Sequence, residues 1–347
     1  MTPPVPTTRR PLRRFLIAAV VRVGIPLALL LAAEGVMRRV WSDYTFYQRT
    51  EPGQYADRTF GARSWPRKDA DLGWVLDDRP TDFFSDAGRK APAYKPNPQG
   101  FRDAKDFAAV DLHSGKRRVM VLGDSFVFGV GLDANDAIPS VLERLMPTSE
   151  VYNVAIPGWG VDQMLLAYRK YAEAIQPEVV VLCYINEDLA RSYEAFRPRE
   201  GMNKPSFDLV GDQLVPREAG RSAGAFHALI GWVTANSILA NKFSAIRKDY
   251  QVRRLGAALM RDLIRETATR GQRILFVHIP LLKDDPTSRD VAFWSMKDTL
   301  ADAHAPLLEL ADDMPRDPAL YRADGHLGPL GTAYAAERIA RSAVFAR

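Results

Sequence analysis

The chain has 347 residues, of which 47% are hydrophobic, 26% charged and 10% aromatic. This composition is typical of a globular protein and excludes a disordered, collagen-like or coiled-coil chain. The formal charge of +5 comes from one end, because residues 1–39 carry +6 and residues 40–347 therefore carry −1. We predict no nucleic-acid partner. Cys183 is the only cysteine, so an internal disulfide and a cysteine-rich metal site are excluded, and neither a metal nor another cofactor is predicted.

An apolar segment near the amino terminus follows a basic one. Residues 15–33 (FLIAAVVRVGIPLALLLAA) have Arg22 as their only polar side chain, and a helix of this length nearly spans a hydrocarbon core of about 30 Å. Four arginines in residues 9–14 favour a cytoplasmic amino end. We predict a cytoplasmic basic tail over residues 1–14 and a single transmembrane anchor over 15–37. A cleaved signal sequence is the alternative, and either one places the remaining residues outside the cytoplasm.

The next region lacks any regular period. Residues 38–115 contain many prolines and aromatic residues, which break helices and require burial, respectively. We predict an irregular region that packs on the main domain.

From residue 116 to 347, short apolar runs alternate with amphipathic segments of helical spacing. Continuous apolar strands separated by helices indicate a parallel sheet covered on both faces, an α/β fold. A polar stretch and a short helix over about 195–245 interrupt this alternation and are interpreted as an insertion over one edge of the sheet. The predicted strands are 118–122, 151–156, 179–184, 274–279 and, with a weaker pattern, 306–310.

Two segments carry residues suited to acyl-transfer chemistry. Ser125 follows the first strand, and ligands of open parallel sheets bind at the carboxyl ends of strands. Asp324 and His326 lie in a loop before the last helix. In an extended loop, residues two apart face the same side, so the imidazole could accept the serine proton while the carboxylate orients it.

These segments resemble the four sequence blocks of the SGNH (GDSL-type) hydrolases. The matching residues are Gly123-Asp124-Ser125-Phe126, Gly158, Asn186 and Asp324-Gly325-His326, in the family's order. The resemblance implies a three-layer α/β/α sandwich with a mostly parallel, flavodoxin-like, five-stranded sheet. It implies Ser125 as nucleophile, His326 as base and Asp324 as its partner, with an oxyanion hole from the amides of Ser125 and Gly158 and the Asn186 side chain. A gapless match of the third block places Glu187 at the asparagine position, so Asn186 and Glu187 both stay open.

The N-terminal anchor and residues 97–102 (NPQGFR) are similar to a membrane-anchored bacterial subset of this family. The resemblance implies a serine esterase on the periplasmic side of the inner membrane. Its substrate would be an O-acyl ester, with acetyl favoured, of an envelope glycan or lipid, cleaved through an acyl-enzyme. Two alternatives stay open: an O-acetyltransferase that acts on a polysaccharide with the same triad, and a non-catalytic glycan-binding module that keeps the fold.

Other candidates are weaker. Ser222 in Gly220-Arg-Ser-Ala-Gly224 matches the G-x-S-x-G motif of a nucleophile elbow. The preceding residues do not have the pattern of a buried strand, so Ser222 is not predicted to be a nucleophile. Arg191, Arg197 and Arg199 follow the third block and could meet an anionic substrate, although a solvated face is favoured. His278 and Cys183 lie in apolar strands and are interpreted as core residues.

Overall fold

The computed structural model describes residues 17–18, 20–40, 66–77, 81–82, 93–197, 202–217, 233, 237–282, 296–314 and 317–346. Two compact units make up the chain. The first consists of Met1–Arg49 and Arg221–Lys248, and the second of Thr50–Gly220 and Asp249–Arg347.

The first unit contains the apolar N-terminal helix. Val20–Val40 is helical over 21 residues, has a mean hydropathy of 1.9 and is not buried, so by length and composition it could cross a membrane. Val20–Gly24 forms a π-helical turn before the α-helix Ile25–Val40. Pro26 accounts for this turn, because its ring lacks an N–H and would crowd the carbonyl of Arg22 in a regular α-helix. The predicted tail over 1–14 lies outside the described residues.

Glu34 caps a second helix within the same unit. Its carboxylate accepts the backbone N–H of Ile238 at 2.9 Å and that of Leu239 at 3.1 Å, and the hydroxyl of Ser237 at 2.9 Å. The first N–H groups of a helix have no partner inside the helix, and an acidic side chain near them is stabilising.

The second unit is built on a five-stranded sheet in which every neighbouring pair is parallel. Numbered along the chain, the strands have the spatial order 2-1-3-4-5, which is the flavodoxin-like order. Val121 of the first strand, for example, pairs with Asn153 and Val181 on its two sides. The predicted fold class is therefore confirmed, and each strand lies within two residues of its predicted bounds. The strands are β1 Arg117–Gly123, β2 Ser149–Ala155, β3 Val179–Tyr184, β4 Arg273–His278 and β5 Leu307–Glu309.

Helices cover both faces of this sheet. The path from β1 to β2 and the path from β2 to β3 run in opposite directions across it, and right-handed crossovers therefore place their helices on opposite faces. The helices are α1 Ser125–Phe128, α2 Ile138–Leu145, α3 Val161–Ile175, α4 Asn186–Ser192, α5 Ile238–Thr269, α6 Lys297–Asp302, α7 Leu310–Asp313 and α8 Pro329–Ala340. Helix α8 packs on α2, and α3 forms ion pairs with α5 through Arg169. Short 3₁₀ turns accompany the helices at Ala134–Asp136, Pro318–Leu320 and Ala343–Phe345.

The region predicted as an insertion is described in part. Its described part contains two small antiparallel ladders, Phe196–Arg197 with Met202–Asn203 and Phe207–Val210 with Gln213–Pro216. The short helix expected after them falls mostly on residues 218–236, of which the structure describes only 233. At the predicted boundary of about 245 the chain already lies in α5, which begins at Ile238 and runs without interruption for 32 residues. No glycine or proline occurs between residues 238 and 255, so nothing stops the helix at the predicted boundary.

Residues 66–77 and 93–115 are irregular apart from a ladder between Arg67–Asp69 and Gly73–Val75 and a short one between Thr81–Asp82 and Ala93–Tyr94. Their large side chains enter the core of the second unit, since Trp74, Phe101 and Phe107 are fully buried. Two indoles interlock this region with the loop after β2. The Trp74 Nε1–H donates to the Pro157 carbonyl at 3.2 Å, and the Trp159 Nε1–H donates to the Trp74 carbonyl at 3.1 Å.

This interlock can be tested at Trp74. Trp74→Phe keeps most of the packing but leaves the buried Pro157 carbonyl without its donor, and we expect a loss of about 1–3 kcal/mol of unfolding free energy. Trp74→Ala also opens a cavity and should cost about 3–5 kcal/mol. Urea unfolding followed by near-ultraviolet circular dichroism measures both. Equal stability of Trp74→Phe and wild type would contradict a role for the indole hydrogen bond.

Candidate active site

The candidate site lies where the chain leaves β1. Strand β2 lies on one side of β1 and β3 on the other, and such a reversal in strand order leaves a crevice at the carboxyl ends of the strands. Ser125 is the first residue of α1, a helix of four residues. Asp124 caps this helix by accepting the Phe126 N–H at 2.9 Å. Ser125 is thereby placed at the crevice, with 8% of its surface exposed.

The structure brings Ser125 and His326 together from positions 201 residues apart. The Ser125 Oγ lies 2.9 Å from the His326 Nε2, which is hydrogen-bond distance between a nucleophile and a base. The ring of Phe126 packs beside the imidazole, with centroids 4.9 Å apart, and limits its rotation.

Asp324 lies on the other side of the imidazole, in a tight turn. The Gly325 N–H donates to the Arg322 carbonyl at 2.9 Å, and Gly325 has a φ of 87°, so the extended loop expected from the sequence is wrong. The two side chains meet because the Asp324 carboxylate folds back on the turn. Its Oδ1 accepts the His326 backbone N–H at 3.1 Å, and its Oδ2 lies 3.2 Å from the His326 Nδ1. The second contact has ion-pair distance but lacks hydrogen-bond alignment.

The charge of Asp324 is favoured by its surroundings. Burial alone raises the pKa of this carboxyl, but hydrogen bonds and charge from His326, together with the Arg322 guanidinium, outweigh it and lower the pKa to about 2. Asp324 is therefore ionised at neutral pH and suited to stabilise an imidazolium.

Two arginines hold the backbone that follows α1. Arg102 is 6% exposed and donates to the carbonyls of Phe128, Gly129 and Leu132 at 2.9, 2.6 and 2.6 Å. Its guanidinium thus binds backbone carbonyls at the end of α1 and directly after it, where a cation is favoured. Arg102 belongs to the NPQGFR segment, so the structure connects that segment to the helix that carries Ser125.

Arg322 contacts the same stretch from the turn that carries His326. Its guanidinium donates to the Gly131 carbonyl and lies 3.5 Å from Asp324. Gly131 has a φ of 72°, and a Cβ atom there would overlap this guanidinium. The roles of Arg102 and Arg322 could not be predicted from the sequence, because no local spacing indicates a side chain that binds distant carbonyls.

The predicted oxyanion donors lie at the ends of neighbouring strands. Gly158 follows β2 and has a φ of 81°, between the interlocked Pro157 and Trp159. Among the described residues, none accepts a hydrogen bond from the backbone N–H of Gly158 or Ser125. Both amides are thus available to a ligand.

The third predicted donor, Asn186, is the first residue of α4 and follows β3. Its Oδ1 is buried and has no hydrogen-bond partner among the described residues. The cap of α4 is supplied by Asp188, whose Oδ2 accepts the Ile185 N–H at 3.0 Å. The helix begins at Asn186, and Asn186 is therefore not its cap. Glu187 is the second residue of the same turn. The donor roles of Gly158 and Asn186 stay predictions.

Arg191 is placed differently from its prediction. The sequence favoured a solvated face, whereas the Arg191 side chain is 14% exposed and pairs with Asp124 at 2.9 Å and Asp188 at 2.5 Å. Burial alone lowers the pKa of Arg191, but the charges of these two aspartates raise it. The signal in the sequence is weak: Arg191 lies three positions after Asp188, a spacing that pairs side chains on one helix.

The remaining candidates do not join the site. Arg197 pairs with Glu194 at 2.6 Å, and Ser222 and Arg199 lie outside the described residues. His278 and Cys183 are buried in the sheet, where burial raises the pKa of the Cys183 thiol. Within the described ranges, no group of three or more His, Cys, Asp or Glu side chains could hold a metal.

No protein-family model and no curated protein sequence match this chain. Solved structures similar to it include that of TesA, with 15% identity and a TM-score of 0.42, covering 64% of this chain and 96% of that protein. A lipase/acylhydrolase from Enterococcus faecalis has 14% identity and a TM-score of 0.39, with 65% and 94% covered. The psychrotrophic esterase EstA from Pseudoalteromonas sp., inhibited by monoethylphosphonate, has 12% identity and a TM-score of 0.38, with 65% and 94% covered.

The lowered pKa of Asp324 predicts how stability varies with pH. Because its pKa falls from 3.8 to about 2 on folding, the ionised carboxylate stabilises the folded state above about pH 4, and this contribution is lost as the pH falls towards 2. The difference in unfolding free energy between wild type and Asp324→Asn should therefore shrink over this interval. Thermal unfolding of both proteins from pH 6 to pH 2 measures it. A difference that stays constant would contradict the prediction.

Arg102 is expected to stabilise the helix that carries Ser125. Arg102→Met removes three hydrogen bonds from the guanidinium to backbone carbonyls, and we expect a loss of at least about 2 kcal/mol of unfolding free energy. Arg144→Met is the matched control, because Arg144 is exposed and donates to one carbonyl, that of Asn135, and an exposed substitution of this kind usually changes stability by less than about 0.5 kcal/mol. Urea unfolding of the two variants compares them. Equal losses would exclude a specific role for Arg102.

Proposed function

We propose that the chain is a serine esterase in which Ser125, His326 and Asp324 act as a catalytic triad. The observation that carries this proposal is the 2.9 Å contact between Ser125 Oγ and His326 Nε2 at the carboxyl edge of a parallel sheet. The ionised Asp324 on the far side of the imidazole supports it, since a triad needs a base that is itself held by an anion.

The proposed reaction proceeds through an acyl-enzyme. Ser125 Oγ attacks the ester carbonyl carbon as its proton passes to His326 Nε2, which gives a tetrahedral intermediate with a negatively charged oxygen. The proton then passes from His326 to the leaving alkoxide, and the alcohol departs. A water molecule attacks the acyl-enzyme, gives a proton to His326 and releases the acid and the free Ser125 hydroxyl.

The amides of Ser125 and Gly158 supply the proposed oxyanion hole. Neither N–H is used by a described residue, and each such donor is typically worth about 3 kcal/mol of activation free energy. Asn186 is the proposed third donor, because its side chain begins α4 at the end of the strand next to β1.

The N-terminal helix supports a location and a substrate class for the proposed enzyme. A span of 21 residues with a mean hydropathy of 1.9, preceded by a basic tail, supports an anchor in a bacterial inner membrane with the second unit in the periplasm. The substrates within reach of such an enzyme are O-acyl esters, in particular acetyl esters, of an envelope glycan or lipid. The resemblance of the sequence to SGNH hydrolases of the bacterial envelope supports the same class.

Hydrolysis of a short-chain aryl ester by the full-length protein in detergent micelles tests this function. Ser125→Ala removes the attacking atom, and we expect the rate to fall by a factor of about 10⁴ or more. Ser140→Ala is the matched control, because Ser140 lies on α2 and belongs to none of the contacts described above. Its rate should equal that of wild type.

Equal rates for Ser125→Ala and wild type would remove Ser125 from the mechanism. Absence of hydrolysis in wild type, together with no labelling of Ser125 by a fluorophosphonate, would favour the glycan-binding module. Consumption of the ester in the presence of a polysaccharide, with the acyl group recovered on the sugar, would favour the O-acetyltransferase.

A further inference from the structure

The Ser125 hydroxyl lies between two acceptors. His326 Nε2 is 2.9 Å from Oγ, and Asp124 Oδ2 is 3.2 Å from it. A hydroxyl carries one proton and can donate it to one strong acceptor at a time. A hydrogen bond from Ser125 to Asp124 therefore competes with the one that prepares the proton for transfer to His326.

The geometry of Arg191 bears directly on this competition. Its Nη1 lies 2.9 Å from the same Oδ2 of Asp124 that Ser125 approaches. The other oxygen, Oδ1, already accepts the Phe126 N–H. Both oxygens of Asp124 are thus engaged by donors, one of them cationic, and a charge-assisted hydrogen bond of this kind is roughly twice as strong as a neutral one.

The same guanidinium nitrogen also contacts Asp188 at 2.5 Å and the Trp159 carbonyl at 3.5 Å. Asp188 is fully buried and Asp124 is 1% exposed, so Arg191 has a structural task as well, the neutralisation of buried charge. The two tasks involve different aspartates. Asp124 contacts Ser125, whereas Asp188 contacts the amide of Ile185.

We propose that Arg191 is a positioning residue of this site, which binds Asp124 and so leaves His326 as the acceptor of the Ser125 proton. This inference rests on the proposed function. Arg191 acts through Asp124 and does not itself touch the reacting atoms. When Oγ forms its bond to the electrophile, its proton moves to Nε2 of His326. Arg191 keeps the Ser125 hydroxyl from directing this proton towards Asp124 instead.

The test compares two double variants of the full-length protein in detergent micelles, Arg191→Met/Asp124→Asn and Arg191→Met/Asp188→Asn. Each removes one cation and one buried carboxylate, so their buried charge is matched. In the first, an amide replaces the competing carboxylate and can donate to Ser125 Oγ, which directs the serine proton to His326. In the second, Asp124 is left without its cation and competes with His326 for the hydrogen bond from the Ser125 hydroxyl. The readout is the rate at which a fluorophosphonate forms an Oγ–phosphorus bond and releases fluoride.

We expect the Asp124→Asn double variant to be labelled at least about tenfold faster than the Asp188→Asn double variant. Equal rates, or the reverse order, would overturn the inference and leave Arg191 a purely structural role. The same pair built on Arg191→Gln, whose amide still donates a hydrogen bond, repeats the comparison if methionine prevents folding. Labelled wild type with equal double variants overturns this inference alone, whereas unlabelled wild type overturns it together with the proposed function.

Discussion

The contact between Ser125 and His326 depends on arginines that bind backbone carbonyls. Helix α1 has four residues, and a single turn does not persist without contacts outside itself. Arg102 binds the carbonyl of the last residue of α1, Phe128, and that of the next residue, Gly129. Arg322, four residues before His326, binds the carbonyl of Gly131. Arg322 thus joins the turn that carries His326 directly to the backbone after Ser125. The distance between these two segments is therefore not fixed by the contact between the Ser125 and His326 side chains alone.

The sheet could be predicted from the sequence because its strands are buried on both faces. The run of β3 is apolar from Val179 to Tyr184, begins directly after Glu178, and is followed by Ile185 and then the polar Asn186. Its predicted and observed bounds are identical. The edge strand β5 has three residues, which is too short for a period. The unbroken length of α5 was not predicted: the insertion was expected to end at about 245, within this helix, and no glycine or proline between residues 238 and 255 marks the true boundary.

The site could be predicted in part. Ser125 and the Asp324–His326 pair were found because each follows a strand or precedes a helix in a short, recognisable segment. Arg191 was misplaced for a physical reason: arginine is usually solvated, and only the buried Asp124, 67 residues earlier in the chain, makes burial of its charge favourable. Arg102 was not identified because its partners are backbone carbonyl oxygens, which every residue has, so its sequence neighbours do not indicate them.

A second histidine–carboxylate pair indicates what distinguishes the site. His278 Nδ1 lies 2.6 Å from Glu309 Oε1, a closer contact than that between His326 and Asp324. His278 is fully buried and packs on the ring of Tyr184, and in the part of the chain that the structure describes no residue forms a hydrogen bond with its Nε2. His326 instead presents Nε2 to a hydroxyl, and its side chain is 19% exposed. The pair of residue types is therefore insufficient for base chemistry. What distinguishes the pair of Asp324 and His326 from the pair of Glu309 and His278 is the position of Nε2. In His326 this nitrogen lies at the open edge of the sheet, opposite a serine held by its own helix.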